Sequence, residues 1–215
     1  MGKTQKALTT TLWAALVVAM IGIVASQATR SRRGNEPRAM AADSVDRFEP
    51  LFDAPNFKLS DQDGKQVSSD DLRGSVYIAD FIFTNCAGPC PVMTSKLVEL
   101  EFKLTRGDVK LISFTVDPQR DTPEVLKEFA QRSGADESRW RFLTGTVEQM
   151  RDAAVGFKVA AKKEADESVT HSTQFLLINR KGQVCGIYRN GDEDVVKKLL
   201  ADATELADRS APATK

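Results

Sequence analysis

Between Val76 and Thr84 the chain reads VYIADFIFT, an almost unbroken run of β-branched and aromatic residues. Such a run lacks the in-out alternation of a strand with one wet face, so it predicts a strand covered on both faces by helices. Asn85 to Cys90 follow as a stretch rich in turn formers. Then Met93, Leu97, Leu100 and Leu104 recur at the spacing of one face of an amphipathic helix. Cys86 and Cys90 therefore stand at a strand-to-helix junction.

The alternation continues along the chain. VKLISFTV predicts a second buried strand, and TPEVLKEFAQRSG predicts a helix with Thr122 as N-cap, Pro123 at its first position and Gly134 at its end. A helix with Val147, Met150 and Ala154 on one side comes next. STQFLLIN and QVCGIYR then form a hairpin about Arg180, Lys181 and Gly182, and a final helix from Asp192 buries Val195, Val196, Leu199, Leu200, Ala203 and Leu206. Ahead of these elements, short strands at Asn56–Leu59 and Gln66–Val67 flank a turn at Asp63 and Gly64. Right-handed βαβ crossovers place their helices over the sheet. The expected fold is α/β and thioredoxin-like, a central mixed β-sheet flanked by helices with an amino-terminal β-hairpin extension.

The first residues are of another kind. Lys3 and Lys6 precede an uncharged apolar stretch from Leu12 to Ala25, and Arg30, Arg32 and Arg33 follow it. With its flanks this stretch reaches roughly 18 residues, enough for a membrane helix, while Ser26 and Ala28 resemble a signal-peptidase site. The expected organisation is a membrane anchor or signal segment over 1–28, a flexible linker over 29–48, a folded domain over 49–209 and a disordered tail over 210–215. An anchor of this type leaves the folded domain on the extracytoplasmic, periplasmic-type side. Six of the 30 Lys and Arg but only one of the 30 Asp and Glu fall in residues 1–38, so the body is mildly acidic. That balance excludes nucleic acid as a partner.

Three cysteines are too few for a disulfide scaffold. Cys185, with apolar neighbours in GQVCGIY, reads as a small hydrophobic strand residue. At a strand-to-helix junction, backbone N–H groups and the helix dipole favour thiolates, so Cys86 and Cys90 suit a disulfide, a redox couple or a pair of metal ligands. Their three-residue spacing is wider than that of the usual oxidoreductase pair and leaves room for an ion. His171, the chain's one histidine, sits just before a buried strand that a thioredoxin-like sheet carries toward the same junction. Two thiolates and an imidazole make a soft site suited to Cu(I), tolerable for Cu(II) and compatible with zinc.

FIFTNCAGPCPVM, FTVDPQRDTPEVLKEFA and VTHSTQFLLIN, in this order and behind an amino-terminal anchor, resemble the Sco/SenC family of copper chaperones. The resemblance covers roughly Phe52 to Leu206. It implies a membrane-tethered protein that binds one copper ion, Cu(I) or Cu(II), per monomer and assists assembly of the binuclear copper centre of cytochrome c oxidase. Cys86 and Cys90 match the family's two thiolate ligands and His171 its imidazole ligand. Asp117 matches an acidic residue near the site, where a carboxylate can hold the histidine in one tautomer; it equally suits capping the turn after a strand. The implied partners are the oxidase subunit carrying the copper centre and a copper donor protein. One departure is the filling between the cysteines, Ala87-Gly88-Pro89, which is smaller and more turn-prone than usual in the family.

Two enzymatic readings compete. A membrane-tethered thiol-disulfide reductase acting on cysteines of the copper-centre subunit, or of another extracytoplasmic partner, uses Cys86 and Cys90 as catalytic residues without His171. A thiol peroxidase needs a cation beside its reactive cysteine, and no Lys or Arg lies between Val76 and Met93.

Overall fold

The computed structural model describes residues 46–86, 88–105, 107–159, 161–163, 169–171 and 173–209. The predicted anchor, most of the predicted linker and the predicted tail lie outside the described residues. Among the described residues no helix is long and apolar enough to cross a membrane.

Among the described residues, ten strands and four α-helices follow one another from Phe52 onward. The strands are β1 (Phe52–Asp53), β2 (Lys58–Ser60), β3 (Gln66–Ser68), β4 (Val76–Ile82), β5 (Val109–Thr115), β6 (Trp140–Leu143), β7 (Ala161–Lys163), β8 (Val169–His171), β9 (Gln174–Ile178) and β10 (Gln183–Arg189). The helices are α1 (Cys90–Lys103), α2 (Pro123–Ser133), α3 (Val147–Gly156) and α4 (Val195–Arg209), with a 3₁₀ turn at Ser69–Leu72. Six strands form the central sheet in the order β1-β10-β9-β4-β5-β6. β4, β5 and β6 are mutually parallel, and β9 runs antiparallel to β4. β2 pairs with β3 as the expected hairpin extension.

All seven residues of β4 are buried, and side-chain alternation divides them between two cores. Val76, Ile78 and Ile82 join α1, α2 and α4 through Met93, Leu97, Leu100, Leu126, Leu199 and Ala203. Tyr77, Ala79 and Phe81 join α3 and the β2–β3 hairpin on the opposite face. There Phe81 stacks on Phe114 at 5.1 Å between ring centroids, and Phe157 lies 5.2 Å from Phe114. Each buried aromatic ring of this size contributes about 2–3 kcal/mol of transfer free energy, so both faces of β4 are held by packing.

Local chemistry places the boundaries. The Thr122 side chain accepts from Val125 N at the start of α2, and Gly134 ends that helix in the left-handed region at φ 77°. α4 starts at Val195, three residues later than Asp192, and Asp192 N instead closes a turn onto the Arg189 carbonyl. In the β9–β10 hairpin, Gly182 takes φ 78°, and Asn179 Oδ1 accepts from Lys181 N and Gln183 N, both at 3.0 Å. Gly156 has a steric reason, since a Cβ there would lie 2.4 Å from Pro55 Cβ.

Two strand features add to the sequence reading. A short edge strand, β1, adds to β10 through Phe52–Val184 and Asp53–Gln183. The polar stretch before His171 holds a small hairpin, in which β7 pairs with β8 from Ala161–His171 to Lys163–Val169. Its strands are three residues each, Ala-Lys-Lys and Val-Thr-His, too short for apolar periodicity to reveal. Upstream, Phe48 is buried under α4 with the guanidinium groups of Arg47 and Arg209 over its ring at 4.9 and 5.1 Å, and Arg47 pairs with Asp202 at 3.0 Å.

Candidate metal centre

β4 delivers the chain to the end of the sheet where β5 also ends, and the cysteine turn is built there. Thr84 donates from its backbone N and from Oγ1 to the Asp121 carboxylate, at 3.2 and 2.6 Å. Thr115 Oγ1, at the end of β5, donates to the same carboxylate. Val116 N donates to the Ile82 carbonyl at 2.8 Å. The segment after β5 thereby clasps the strand end that leads to Cys86. Asp121 is 1% exposed, and burial raises its pKa against the opposing hydrogen bonds from Thr115 and Thr84.

Cys86 is half-buried and accepts from Gly88 N at 3.4 Å. Cys90 opens α1 and is 1% exposed. None of the three cysteines is in a disulfide, and the Cys86 and Cys90 thiols stand within hydrogen-bonding reach of each other. Contrary to what a helix start by itself suggests, the Cys90 thiol is pushed well above its ordinary pKa. Burial is the main cause; the Cys86 hydrogen bond adds to it and a backbone hydrogen bond with Phe83 opposes it. Desolvation outweighs the helix dipole because that dipole acts at full strength only on a group at the solvated end. Burial thus keeps the Cys90 thiol protonated, and Cys86 is the more exposed residue of the two.

Asp80 lies on the α1 side of β4 and was unremarked in the buried run. Its Oδ1 accepts from Ser113 Oγ at 2.6 Å, and Ser113 Oγ accepts from Trp140 Nε1 at 2.9 Å, a chain across β4, β5 and β6. Its Oδ2 is buried without a hydrogen-bond partner among the described residues. Burial pushes its pKa up to about 7 against the Ser113 hydrogen bond, and its charge is one of the influences that raise Cys90.

Asp117 is buried at the turn after β5. Its N accepts support from Thr115 by donating to Oγ1 at 3.0 Å, its carbonyl accepts from Arg120 N and Asp121 N, and its carboxylate pairs with Arg120 at 3.2 Å. These bonds match the turn-closing role. His171 ends β8, and its side chain lies outside the described residues. Two residues on, the Thr173 carbonyl accepts from Asn190 N at 2.9 Å, and the Asn190 carbonyl accepts from Lys96 Nζ on α1. Among the described residues no three His, Cys, Asp or Glu side chains form a metal-sized group; the two thiols supply two soft donors. Cys185 is buried on β10, where its thiol meets the Leu177 carbonyl at 3.5 Å.

Asp80 and Asp121 were missed by sequence reasoning. Asp80 left one signal, a lone carboxylate inside an apolar run, and Asp121 looked like an ordinary residue before a helix cap.

The sequence model of the family described as SCO1/SenC matches residues 47–207. The SCO1 protein homolog of Bacillus subtilis is 38% identical over 160 residues, covering 72% of this chain and 83% of that protein. Among solved structures, BsSco, described as a member of the Sco family of cytochrome c oxidase assembly proteins with a disulfide switch, superposes with a TM-score of 0.67 at 36% identity. That match covers 74% of this chain and 96% of that one. Arabidopsis thaliana ScoI, solved with copper bound, gives a TM-score of 0.63 at 26% identity over 73% of this chain and 98% of that one.

Proposed function

The chain belongs to the SCO1/SenC family, and from that premise we propose that it is a membrane-tethered copper metallochaperone serving assembly of the binuclear copper centre of cytochrome c oxidase. One copper ion, Cu(I) or Cu(II), is its cargo, held by Cys86, Cys90 and His171. The observation that carries the reading is the pair of reduced thiols in mutual reach, one half-exposed and one buried, where β4 meets α1. Copper bound to relatives of the same fold supports it.

Chemistry orders the events. Copper meets Cys86 first, because that residue is half-buried where Cys90 is fully buried. Ligation by Cys90 then requires loss of its proton, which the metal's charge drives against the burial that otherwise keeps the thiol neutral. β9 runs antiparallel to β4 with Ala79 opposite Leu176. Carried on in that register, the strand leads back toward the cysteine end of the sheet, which supports His171 as third donor. Few ligands and an exposed sulfur suit a protein that must both receive copper from a donor and surrender it to the oxidase subunit. Asp117, paired with Arg120, closes the turn beside the junction and adds negative charge there. The apolar segment in 1–28 serves as anchor, the residues after it tether on the extracytoplasmic side a domain that starts at Arg47, where Phe48 already packs into the core, and 210–215 form the tail.

Metal analysis of protein purified under reducing conditions tests this. One copper per monomer is expected, with thiolate-to-Cu(II) charge-transfer absorption that disappears in Cys86→Ala and Cys90→Ala. A His171→Ala protein with wild-type Cu(II) affinity and spectrum would remove the three-ligand site.

The mutual reach of the thiols also favours a second reading, a thiol-disulfide reductase. Cys86 attacks a partner's disulfide, the partner's first sulfur leaves as thiolate and takes a proton, and Cys90 then displaces the partner's second sulfur. Cys86 and Cys90 end as the disulfide and the partner as two thiols, two electrons having moved. His171→Ala protein that reduces an oxidised partner at the wild-type rate, with or without copper, selects this reading.

A further inference from the structure

Asn190 is tied on two sides to the proposed copper site through backbone atoms alone. Its N–H donates to the carbonyl of Thr173, two residues after His171, at 2.9 Å. Its carbonyl accepts from Lys96 on α1, the helix that Cys90 opens. These links ask nothing of the side chain, yet Asn190 Oδ1 is buried and has no hydrogen-bond partner among the described residues. A buried amide oxygen left unpaired is costly, so its persistence calls for a partner present in another state.

The copper reading supplies one. A neutral imidazole bound to a metal through one nitrogen carries its proton on the other, and that N–H can only donate. The acceptor it needs must lie close to the strand that bears His171. Asp117 is already paired with Arg120, and Asp121 already accepts from Thr84 and Thr115. Asn190 N is bonded to the Thr173 carbonyl, and Thr173 is two residues from His171, at most about 7 Å of chain, a gap that an asparagine and a histidine side chain together span.

We propose that Asn190 is a positioning residue for copper binding, its Oδ1 accepting the imidazole N–H of His171 when the ring is on the metal, with Lys96 holding Asn190 in register with Cys90. The assignment rests on the three-ligand copper site proposed above. Asn190 thereby sets which tautomer of His171 binds and how long the ring stays on copper.

The test uses the reduced full chain with Cu(I), which is diamagnetic, and exploits its single histidine, the source of one set of imidazole nitrogen signals. Wild-type protein should show a slowly exchanging imidazole N–H once Cu(I) is bound. Asn190→Ala should lose that protection and bind copper about 10–100-fold more weakly, and the near-isosteric Asn190→Asp should restore both. Lys96→Met should produce the same changes at smaller size. Asn190→Ala within twofold of wild-type affinity and with an unchanged N–H exchange rate overturns the assignment, as does Asn190→Asp without a protected N–H. If His171→Ala also binds as wild type, the three-ligand site has failed and this inference with it; if only the Asn190 variants are silent, the inference alone falls.

Discussion

The strand leading to Cys86 is buried at every position, and Cys90 begins a helix packed across the central sheet. His171 ends a three-residue strand that, among the described residues, pairs with β7 alone, outside the six-stranded sheet. One region derives its geometry from two hydrophobic cores, the other from a few backbone bonds in a hairpin. A two-stranded hairpin is marginal by itself in water, so in the proposed copper site the two cysteines stand on the strongly packed element and His171 on the weaker one. For a protein proposed to pass its metal on, that division would put the reversible step on His171, the proposed third ligand.

Hydrogen exchange gives the largest contrast. Amides of β4 should exchange only through global unfolding and those of β7 and β8 through local opening, a difference of about 10³-fold or more for a domain of ordinary stability. Copper loading should slow the second group and leave the first unchanged. Equal protection in the metal-free protein would erase the distinction.

The buried carboxylate under the cysteine helix gives the next effect. Asp80 holds its proton up to about pH 7 when folded, against a model-peptide value of 3.8. The folded state therefore binds more protons than the unfolded state between those values. Asp80's contribution to stability is fully present below about pH 4 and is lost as pH rises through 7. Asp80→Asn should flatten that decline and stabilise the protein at pH 8 by about 1–3 kcal/mol, less than the roughly 4 kcal/mol ceiling set by the shift, because the new NH₂ group needs a partner. Urea unfolding at pH 5 and pH 8 measures it, and a variant with the wild-type pH slope would exclude Asp80 as the source.

At the clasp, Asp121→Ala strands the donors of Thr84 and Thr115 and should destabilise by about 2–3 kcal/mol. It should also raise the accessibility of Cys90 to alkylating reagents, whereas an unchanged labelling rate would mean that the turn is held by packing alone. The smallest effect belongs to the hairpin. Thr170→Gly, opposite Lys162, should change stability by no more than about 0.5 kcal/mol yet weaken copper binding severalfold. Loss of global stability instead would show that the hairpin is part of the cooperative fold.

Most of the architecture was legible because it rests on patterns of residue type. The unbroken run at β4, the Met93-Leu97-Leu100-Leu104 face and the Thr122 and Gly134 ends of α2 each carry their structural reason locally, and each stands as read. The start of α4 slipped because Asp192 sits in a turn closed by a backbone bond that composition does not announce. β7 and β8 were missed because three residues are too few to show a periodicity. At the site, the paired cysteines were visible from spacing, whereas the clasp of Thr84 by Asp121 and the tie from Lys96 to the Asn190 carbonyl join residues 37 and 94 positions apart.

By itself the amino-acid order determined the class of fold, the strand-to-helix junction that carries Cys86 and Cys90, and the burial of Cys185, because periodicity, capping and turn chemistry act between near neighbours. Only the tertiary structure decided that Cys90 is a neutral, desolvated thiol, that Asp80 is a carboxyl poised to titrate near neutrality and that Asn190 joins the histidine arm to the cysteine helix. Desolvation and hydrogen-bond satisfaction depend on which distant segments close over a group, and no local pattern of residues encodes that.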